Sequence, residues 1–352
     1  MAKISKNALV TGITGQDGAY LAQFLLNKGY EVFGLFRRTS SLNFWRIQCL
    51  GISDRVSLIP GDVSDAASIV EAVKISVPDE IYHLAAQSHV GASFEQPKGT
   101  TDINGIGVTR FLEAIRNINP KIKFYQASTS ELYGNGRIEA YNEDTSFCPA
   151  SPYAAAKLYG YWMTRIYRES YGLFCCNGIL FNHESPLRGL DFVTRKISNQ
   201  VARIKLGLDD SLKIGNIDTK RDWGYAPEYV EAMWLMLQQD KPDDYVIASN
   251  EAHSVREFIE HAFDAVGLDC KRYMKIDKSL IRPLDVNYLQ GDNKKASLKL
   301  GWKCKTKFDE LVKIMVTEDL TRWRRYMNGE HFPWDAPNHT ENLRILTRVL
   351  RR

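Results

Sequence analysis

The chain has no Cys-x-x-Cys pair, and its six cysteines and seven histidines show no spacing that reads as a zinc site. No metal is therefore expected, and free thiols in a reducing cytoplasm are the simplest reading of Cys49, Cys148, Cys175, Cys176, Cys270 and Cys304. Cys175 and Cys176 are neighbours in an apolar run, where strand alternation sends them to opposite faces as packing residues. No apolar run reaches membrane-spanning length, and the first residues lack the long apolar stretch of a signal peptide, so neither membrane insertion nor secretion is expected. Charge of one sign is also scarce. The 46 basic residues nearly balance the 42 acidic ones, and a net +4 is too small an excess to argue for nucleic acid. Internal repeats and low-complexity linkers are missing too.

What is present is an ordinary globular composition, 44% hydrophobic and 25% charged over 352 residues, enough for one large or two moderate domains. In the first half short apolar runs alternate with longer amphipathic ones. Strands are predicted at Asn7–Thr11, Glu31–Phe36, Val56–Ile59, Glu80–Leu84, Phe124–Ser128 and Phe174–Phe181, with helices such as Asp17–Lys28 and Val108–Asn117 between them. Repetition of this unit predicts an α/β, doubly wound parallel sheet of the Rossmann type. Beyond Phe181 the pattern loosens. Loop is expected around His183–Gly189, strands at Leu212–Ile214 and Tyr245–Ala248, and helices at Pro227–Gln239 and Val255–Val266. The expected division is a dinucleotide-binding domain over 1–181, with some later segments returning to it, a mainly substrate-binding α/β domain over 182–325, and a surface extension over 326–352.

Gly12-Ile13-Thr14-Gly15-Gln16-Asp17-Gly18 follows the first strand and opens the first helix, the context in which glycines let backbone amides approach a pyrophosphate. The second strand ends not in an acidic residue but in Arg37-Arg38-Thr39-Ser40, two guanidiniums and two hydroxyls suited to a 2′-phosphate; this favours NADP. Gly61-Asp62-Val63 and Leu84-Ala85-Ala86-Gln87-Ser88 fall where loops would line the adenine and nicotinamide sides. Asp62 also fits as a plain turn former. Tyr153 and Lys157 share one face at the start of a helix, where an ammonium beside a phenol would lower the tyrosine pKa and make it a base. The strand end Ser128-Thr129-Ser130-Glu131 adds a hydroxyl for a sugar oxygen and a second acid/base group, Glu131, needed where a proton is taken from carbon and water expelled.

With these motifs the chain resembles the extended short-chain dehydrogenase/reductase family, and within it the GDP-mannose 4,6-dehydratases, from Asn7 to Leu320. TGITGQDG at Thr11 to Gly18, the turn Arg37 to Ser41, STSELYG at Ser128 to Gly134 and SPYAAAKLYGYW at Ser151 to Trp162 carry the resemblance. LFNHESPLRG at Leu180 to Gly189, FVTRKI at Phe192 to Ile197, KRDWG at Lys220 to Gly224 and SVREF at Ser254 to Phe258 extend it. It implies NADP, catalysis by Thr129, Glu131, Tyr153 and Lys157, and cofactor contacts from Asp62, His183 and Arg188. It further implies a GDP-sugar such as GDP-mannose held by Ser88, Asn182, Lys196, Arg221 and Arg282. A homodimer through the helices near Tyr153 is implied, as is a homotetramer that brings the Arg37 to Trp45 segments near neighbouring cofactors. Where some members place a tyrosine near the cofactor, this chain reads Pro97-Lys98-Gly99, and that contact is not carried over. A dehydratase of another GDP-sugar, for example a GDP-heptose, is the near alternative. An epimerase or reductase would leave Glu131 without a purpose, and the intact catalytic set speaks against a non-catalytic NADP-binding regulatory protein.

Overall fold

The structure is a computed structural model and describes residues 5–136, 140–280, 286–339 and 342. The strands in chain order are β1 (Asn7–Thr11), β2 (Glu31–Phe36), β3 (Val56–Pro60), β4 (Glu80–His83), β5 (Lys123–Ala127), β6 (Cys175–Leu180), β7 (Asn182–Glu184), β8 (Leu212–Ile214), β9 (Lys220–Tyr225), β10 (Tyr245–Ile247), β11 (Ala252–Ser254), β12 (Met274–Ile276) and β13 (Tyr288–Leu289). Among the described residues seven of them form one parallel sheet in the order β10-β6-β5-β4-β1-β2-β3. The chain leaves β1 in one direction and resumes at β4 in the other, which puts a crevice at the carboxyl ends of these two strands.

Alternation along each strand feeds two cores. Ala8, Val10, Tyr82, Tyr125 and Cys176 pack on one face against helices Gln16–Asn27 and Ala226–Leu237. Leu9, Ile81, Phe124 and Cys175 pack on the other against Ala66–Ser76, Gly107–Ile118 and Pro152–Tyr171. With both faces covered the strands read as nearly continuous apolar runs. The two adjacent cysteines do separate to opposite faces.

A third core joins helices Val193–Lys205, Val255–Asp264 and Phe308–Met327 through Ile197, Val201, Phe258, Ile259, Leu311 and Met315. Beside it β9 pairs with β11, β13 and β7. Two expectations are corrected. The segment expected as loop begins with β7, because Asn182, His183 and Glu184 find partners in Trp223, Gly224 and Tyr225. The all-buried run Tyr245–Ile247, found as a strand as expected, joins the main sheet beside β6. The segment after Tyr326 is not merely surface, since Trp334 packs on Trp323 at 4.8 Å and Ala336 is buried. Among the described residues no helix is long and apolar enough to cross a membrane.

Candidate active site

The glycine turn is dictated by close approach. Gly12 has φ +69°, and a Cβ there would lie 3.0 Å from the Ala85 nitrogen; one on Gly18 would lie 2.3 Å from the Gly12 carbonyl oxygen. Gly15 caps helix Gln16–Asn27 without a side chain, so no side-chain oxygen competes for the first-turn amides. Ile13 is fully buried against Gly34, anchoring the turn to β2. Thr11 Oγ1 accepts from the Leu84 and Ala85 amides, both at 3.0 Å, which fixes the start of the Leu84–Ser88 segment over β1. Arg37, Arg38, Thr39 and Ser40 are exposed at the end of β2. Asp62 accepts from Ser64 N and Oγ at 2.9 and 2.7 Å, so it is at least a turn former; burial, opposed by those bonds and by the Arg37 and Arg110 charges, leaves its carboxyl below the usual range. Val63, next to it, is buried.

Ser151 caps helix Pro152–Tyr171 by accepting from Ala154 N, and Pro152 supplies the preset first turn. One turn in, Tyr153 and Lys157 are 8% and 4% exposed. Thr129 lies two residues past β5, where it caps the next turn by accepting from Glu131 N at 3.3 Å. The short helical turn Ser130–Tyr133 is pinned by Tyr133, which donates to the Asn142 carbonyl at 2.7 Å and stacks on Tyr141. Gly134 closes it with φ +56°, where a Cβ would lie 1.9 Å from the Cys148 oxygen.

The expected lowering of the Tyr153 pKa by Lys157 is not what the chain itself produces. Burial pushes the phenol up to about 12, a hydrogen bond with Thr129 acts downward, and among the charges Glu131 and Asp17 raise it while Arg188 lowers it. Burial also brings Lys157 down to about 8, against the pull of Asp17. Its ammonium donates to the Ala127 carbonyl at 2.8 Å. Tyr153 thus feels a hydrogen bond from Thr129 and the charges of Glu131, Asp17 and Arg188, and Lys157 feels that of Asp17.

Asp17 and His183 meet from opposite ends of the domain. His183 Nε2 lies 2.8 Å from Asp17 Oδ2, and Nδ1 lies 2.7 Å from the Phe181 carbonyl. Both partners accept, an arrangement that favours a proton on each ring nitrogen, and although burial opposes the charge Asp17 raises the ring's pKa above its ordinary value; the ring stacks on Tyr229 at 4.6 Å. Gln16 ties the same segments, donating to the His183 carbonyl at 3.0 Å and accepting from Ser185 Oγ at 2.7 Å. Arg188 pairs with Glu184 at 3.1 Å and lies 3.6 Å over the Phe192 ring. Lys196 is half-buried in helix Val193–Lys205, and burial lowers its pKa against Asp277. Arg221 is buried on β9, the strand that also pairs with the segment holding Asn182. Ser88 is exposed, and Arg282 lies outside the described residues.

Sequence reasoning missed Asn104, in a π-helical turn over Asp102–Ile106. It accepts from Gln87 N at 2.8 Å and donates to the Gln87 carbonyl at 2.9 Å, holding the Leu84–Ser88 segment as a strand neighbour would. The available signal was an amide between Ile103 and Ile106, just ahead of helix Gly107–Ile118. Among the described residues, the buried polar atoms Gln87 Oε1, Ser128 Oγ and Asn182 Oδ1 around the crevice have no hydrogen-bond partner. Buried polar atoms are nearly always bonded, so these atoms, with the glycine rim and uncapped helix, fit a polar dinucleotide and sugar nucleotide.

Solved structures share this architecture. UDP-glucose 4-epimerase of Thermotoga maritima, solved with UDP-glucose, aligns with a TM-score of 0.80 at 23% identity, covering 90% of this chain and 99% of that one. DesIV, the dTDP-glucose 4,6-dehydratase of Streptomyces venezuelae with NAD and TYD bound, gives 0.79 at 23%, covering 91% and 98%. Curated relatives are nearer in sequence. GDP-mannose 4,6 dehydratase 1 of Arabidopsis thaliana is 52% identical over 351 residues, 95% of this chain and 97% of the relative. The Homo sapiens GDP-mannose 4,6 dehydratase is 49% identical over 355 residues, 94% and 95%. The family description GDP-mannose 4,6 dehydratase matches residues 9–315. On that match, and with 49–52% of residues identical over nearly the full length of these relatives, the chain belongs to the GDP-mannose 4,6-dehydratase family.

Proposed function

We propose that the chain binds NADP and converts GDP-mannose to GDP-4-keto-6-deoxymannose. The observation that carries this reading is the placement of a second acid/base group, Glu131, on the same strand end as Thr129 and beside Tyr153, within a chain of this family. Tyr153 takes the proton from the sugar O4, while Thr129 and Lys157 steady the charge that develops there. The chemistry supplied by the bound dinucleotide is hydride acceptance at C4 and hydride return at C6, so it is regenerated. Glu131 removes the C5 proton, made acidic by the neighbouring ketone, and passes it to the C6 hydroxyl, which departs as water; a proton from solvent is restored to C5 as the hydride reaches C6. Gly12 to Gly18 cradle the pyrophosphate of NADP, Arg37 to Ser40 hold its 2′-phosphate, and Leu84 to Ser88 line the nicotinamide side. Asn182, Lys196, Arg221 and Arg282 hold the GDP-sugar, three of them as cations facing its pyrophosphate.

The third core supports assigning 182–325 mainly to the substrate, with β10 returned to the dinucleotide domain. Tyr159, Trp162 and Ile166 form an exposed apolar stripe on helix Pro152–Tyr171, which supports a homodimer through that helix. A monomeric mass by light scattering would remove that part. The reading as a whole is tested by incubation with NADP and GDP-mannose. A product lighter by one water, without net NADPH, is expected; no such product, with turnover of another nucleotide sugar, would overturn the substrate assignment.

A further inference from the structure

Arg46 lies outside every motif, yet it joins the two segments that frame the site. Its side chain is buried, with the guanidinium carbon 4.4 Å from the Trp45 ring centroid. Nε donates to the Leu187 carbonyl at 2.7 Å and Nη1 to the Thr14 carbonyl at 3.0 Å. Thr14 belongs to the glycine turn. Leu187 belongs to the buried run 183–187, which leads through Arg188 into helix Val193–Lys205 and Lys196. A planar guanidinium holds diverging N–H groups from separate nitrogens toward two main-chain acceptors, whereas an ammonium presents all its donors from a single nitrogen.

The far side of the same run is already fixed. Arg195 donates to the Pro186 and Arg188 carbonyls at 2.7 and 2.9 Å, and Arg322 to Pro186 at 2.6 Å. Arg195 is in turn paired with Asp319, both side chains fully buried, on helix Phe308–Met327. The 185–189 segment is thus bound to the substrate-side core, and Arg46 links the glycine turn to that unit.

We propose that Arg46 is a positioning residue that locks the glycine turn to the 185–189 segment, so that the dinucleotide and the sugar nucleotide each tighten the other's binding. The proposal rests on the site reading given above. A ligand that orders one segment also orders the other, and the effect is reciprocal because it is a coupling free energy.

The test uses the full chain and two probes, NADPH followed by nicotinamide fluorescence and GDP at saturation. In the unmodified chain GDP is expected to tighten NADPH binding by about ten-fold. Arg46→Gln and Arg46→Lys are expected to reduce that factor below about two-fold; the lysine keeps the charge and guards against a glutamine variant that does not fold. Arg168→Lys loosens the buried pair with Asp244 at the opposite edge of the sheet, reports the effect of lost stability alone, and is expected to keep the coupling. An unmodified chain that binds both probes without mutual effect, or Arg46 variants that couple as Arg168→Lys does, would overturn the role of Arg46. Failure of the unmodified chain to bind either probe would instead refute the site reading, and this proposal with it.

Discussion

Asp17→Asn removes the carboxylate that faces the His183 ring and leaves a side chain of the same shape. In the native chain burial would raise Asp17, but the His183 charge and hydrogen bond, with help from Gln16 and Arg188, bring it from 3.8 to about 2. At ~1.4 kcal/mol per tenfold change in proton affinity that lowering is worth about 2 kcal/mol. The Asp17 side chain is 22% exposed, so solvent screening takes only a modest share. The carboxylate's contribution is present above its unfolded value of 3.8 and is lost as pH falls through about 2. His183 works in the other direction. Burial opposes its charge, but Asp17 outweighs burial and holds the ring above 6.5. Its contribution is complete below 6.5 and fades as pH rises through the native value.

The pair is therefore strongest between about pH 4 and 6.5. Urea unfolding of the ligand-free protein at pH 5.5 should find Asp17→Asn less stable by about 2 kcal/mol, and the gap should narrow at pH 8.5. Labelling the seven histidines and assigning His183 by its loss in His183→Asn gives a direct reading by NMR. Its midpoint should lie above 6.5 in the native chain and fall in Asp17→Asn, where burial and the Arg188 charge are opposed only by the Phe181 carbonyl. Equal stability at both pH values, a gap that widens with pH, or an unmoved His183 midpoint would refute the reasoning.

Arg37→Ala and Arg38→Ala should each weaken NADP by about ten-fold or more and leave NAD nearly unchanged, as read by titration with either dinucleotide; equal weakening of both would mean that this turn does not bind the 2′-phosphate. Gly134→Ala combines a φ of +56° with a Cβ 1.9 Å from the Cys148 oxygen, and should cost more than about 2 kcal/mol in thermal unfolding or prevent soluble expression. Asn104→Ala leaves the Gln87 amide and carbonyl without their bonds, and dinucleotide affinity should drop several-fold at little cost to helical content by circular dichroism. Glu131→Gln keeps shape but removes the carboxylate proposed as the base for elimination, so rapid mixing with NADP and GDP-mannose should show reduced nicotinamide accumulating with a 4-keto sugar that retains its C6 hydroxyl. Loss of that first absorbance change while both ligands still bind would instead put Glu131 in the oxidation.

Strands that owe their existence to local pattern were legible. Asn7–Thr11 and Glu31–Phe36 are found as expected, and β3, β4, β5 and β6 differ by a residue or so at their ends, because each is a short run rich in apolar residues between longer helical stretches. The Asn-His-Glu strand β7 was not legible. Its side chains carry no strand pattern, and it exists only because β9 lies alongside. Tyr245–Ile247 was legible as a strand but not as the edge of the main sheet. Pairing with β6 depends on where the intervening chain returns, which a local window does not contain.

The site divides in the same way. Helical spacing established that Tyr153 and Lys157 share a face, but it does not say which partner either side chain takes, and the ammonium meets the Ala127 carbonyl because β5 ends beside that helix. Nor does it give burial, which here outweighs every charge acting on Tyr153. The contacts that organise the cofactor side, Asp17 to His183, Asn104 to Gln87 and Arg46 to Thr14 and Leu187, each cross between elements. Every one of them has a main-chain group or a distant side chain as partner, and a carbonyl leaves no mark in the sequence by which its donor might be foreseen. The glycine turn was legible for the converse reason. Its constraint is steric and internal, since a Cβ on Gly18 collides with a carbonyl six residues back in the same motif, so the requirement is written as a residue type at a fixed spacing.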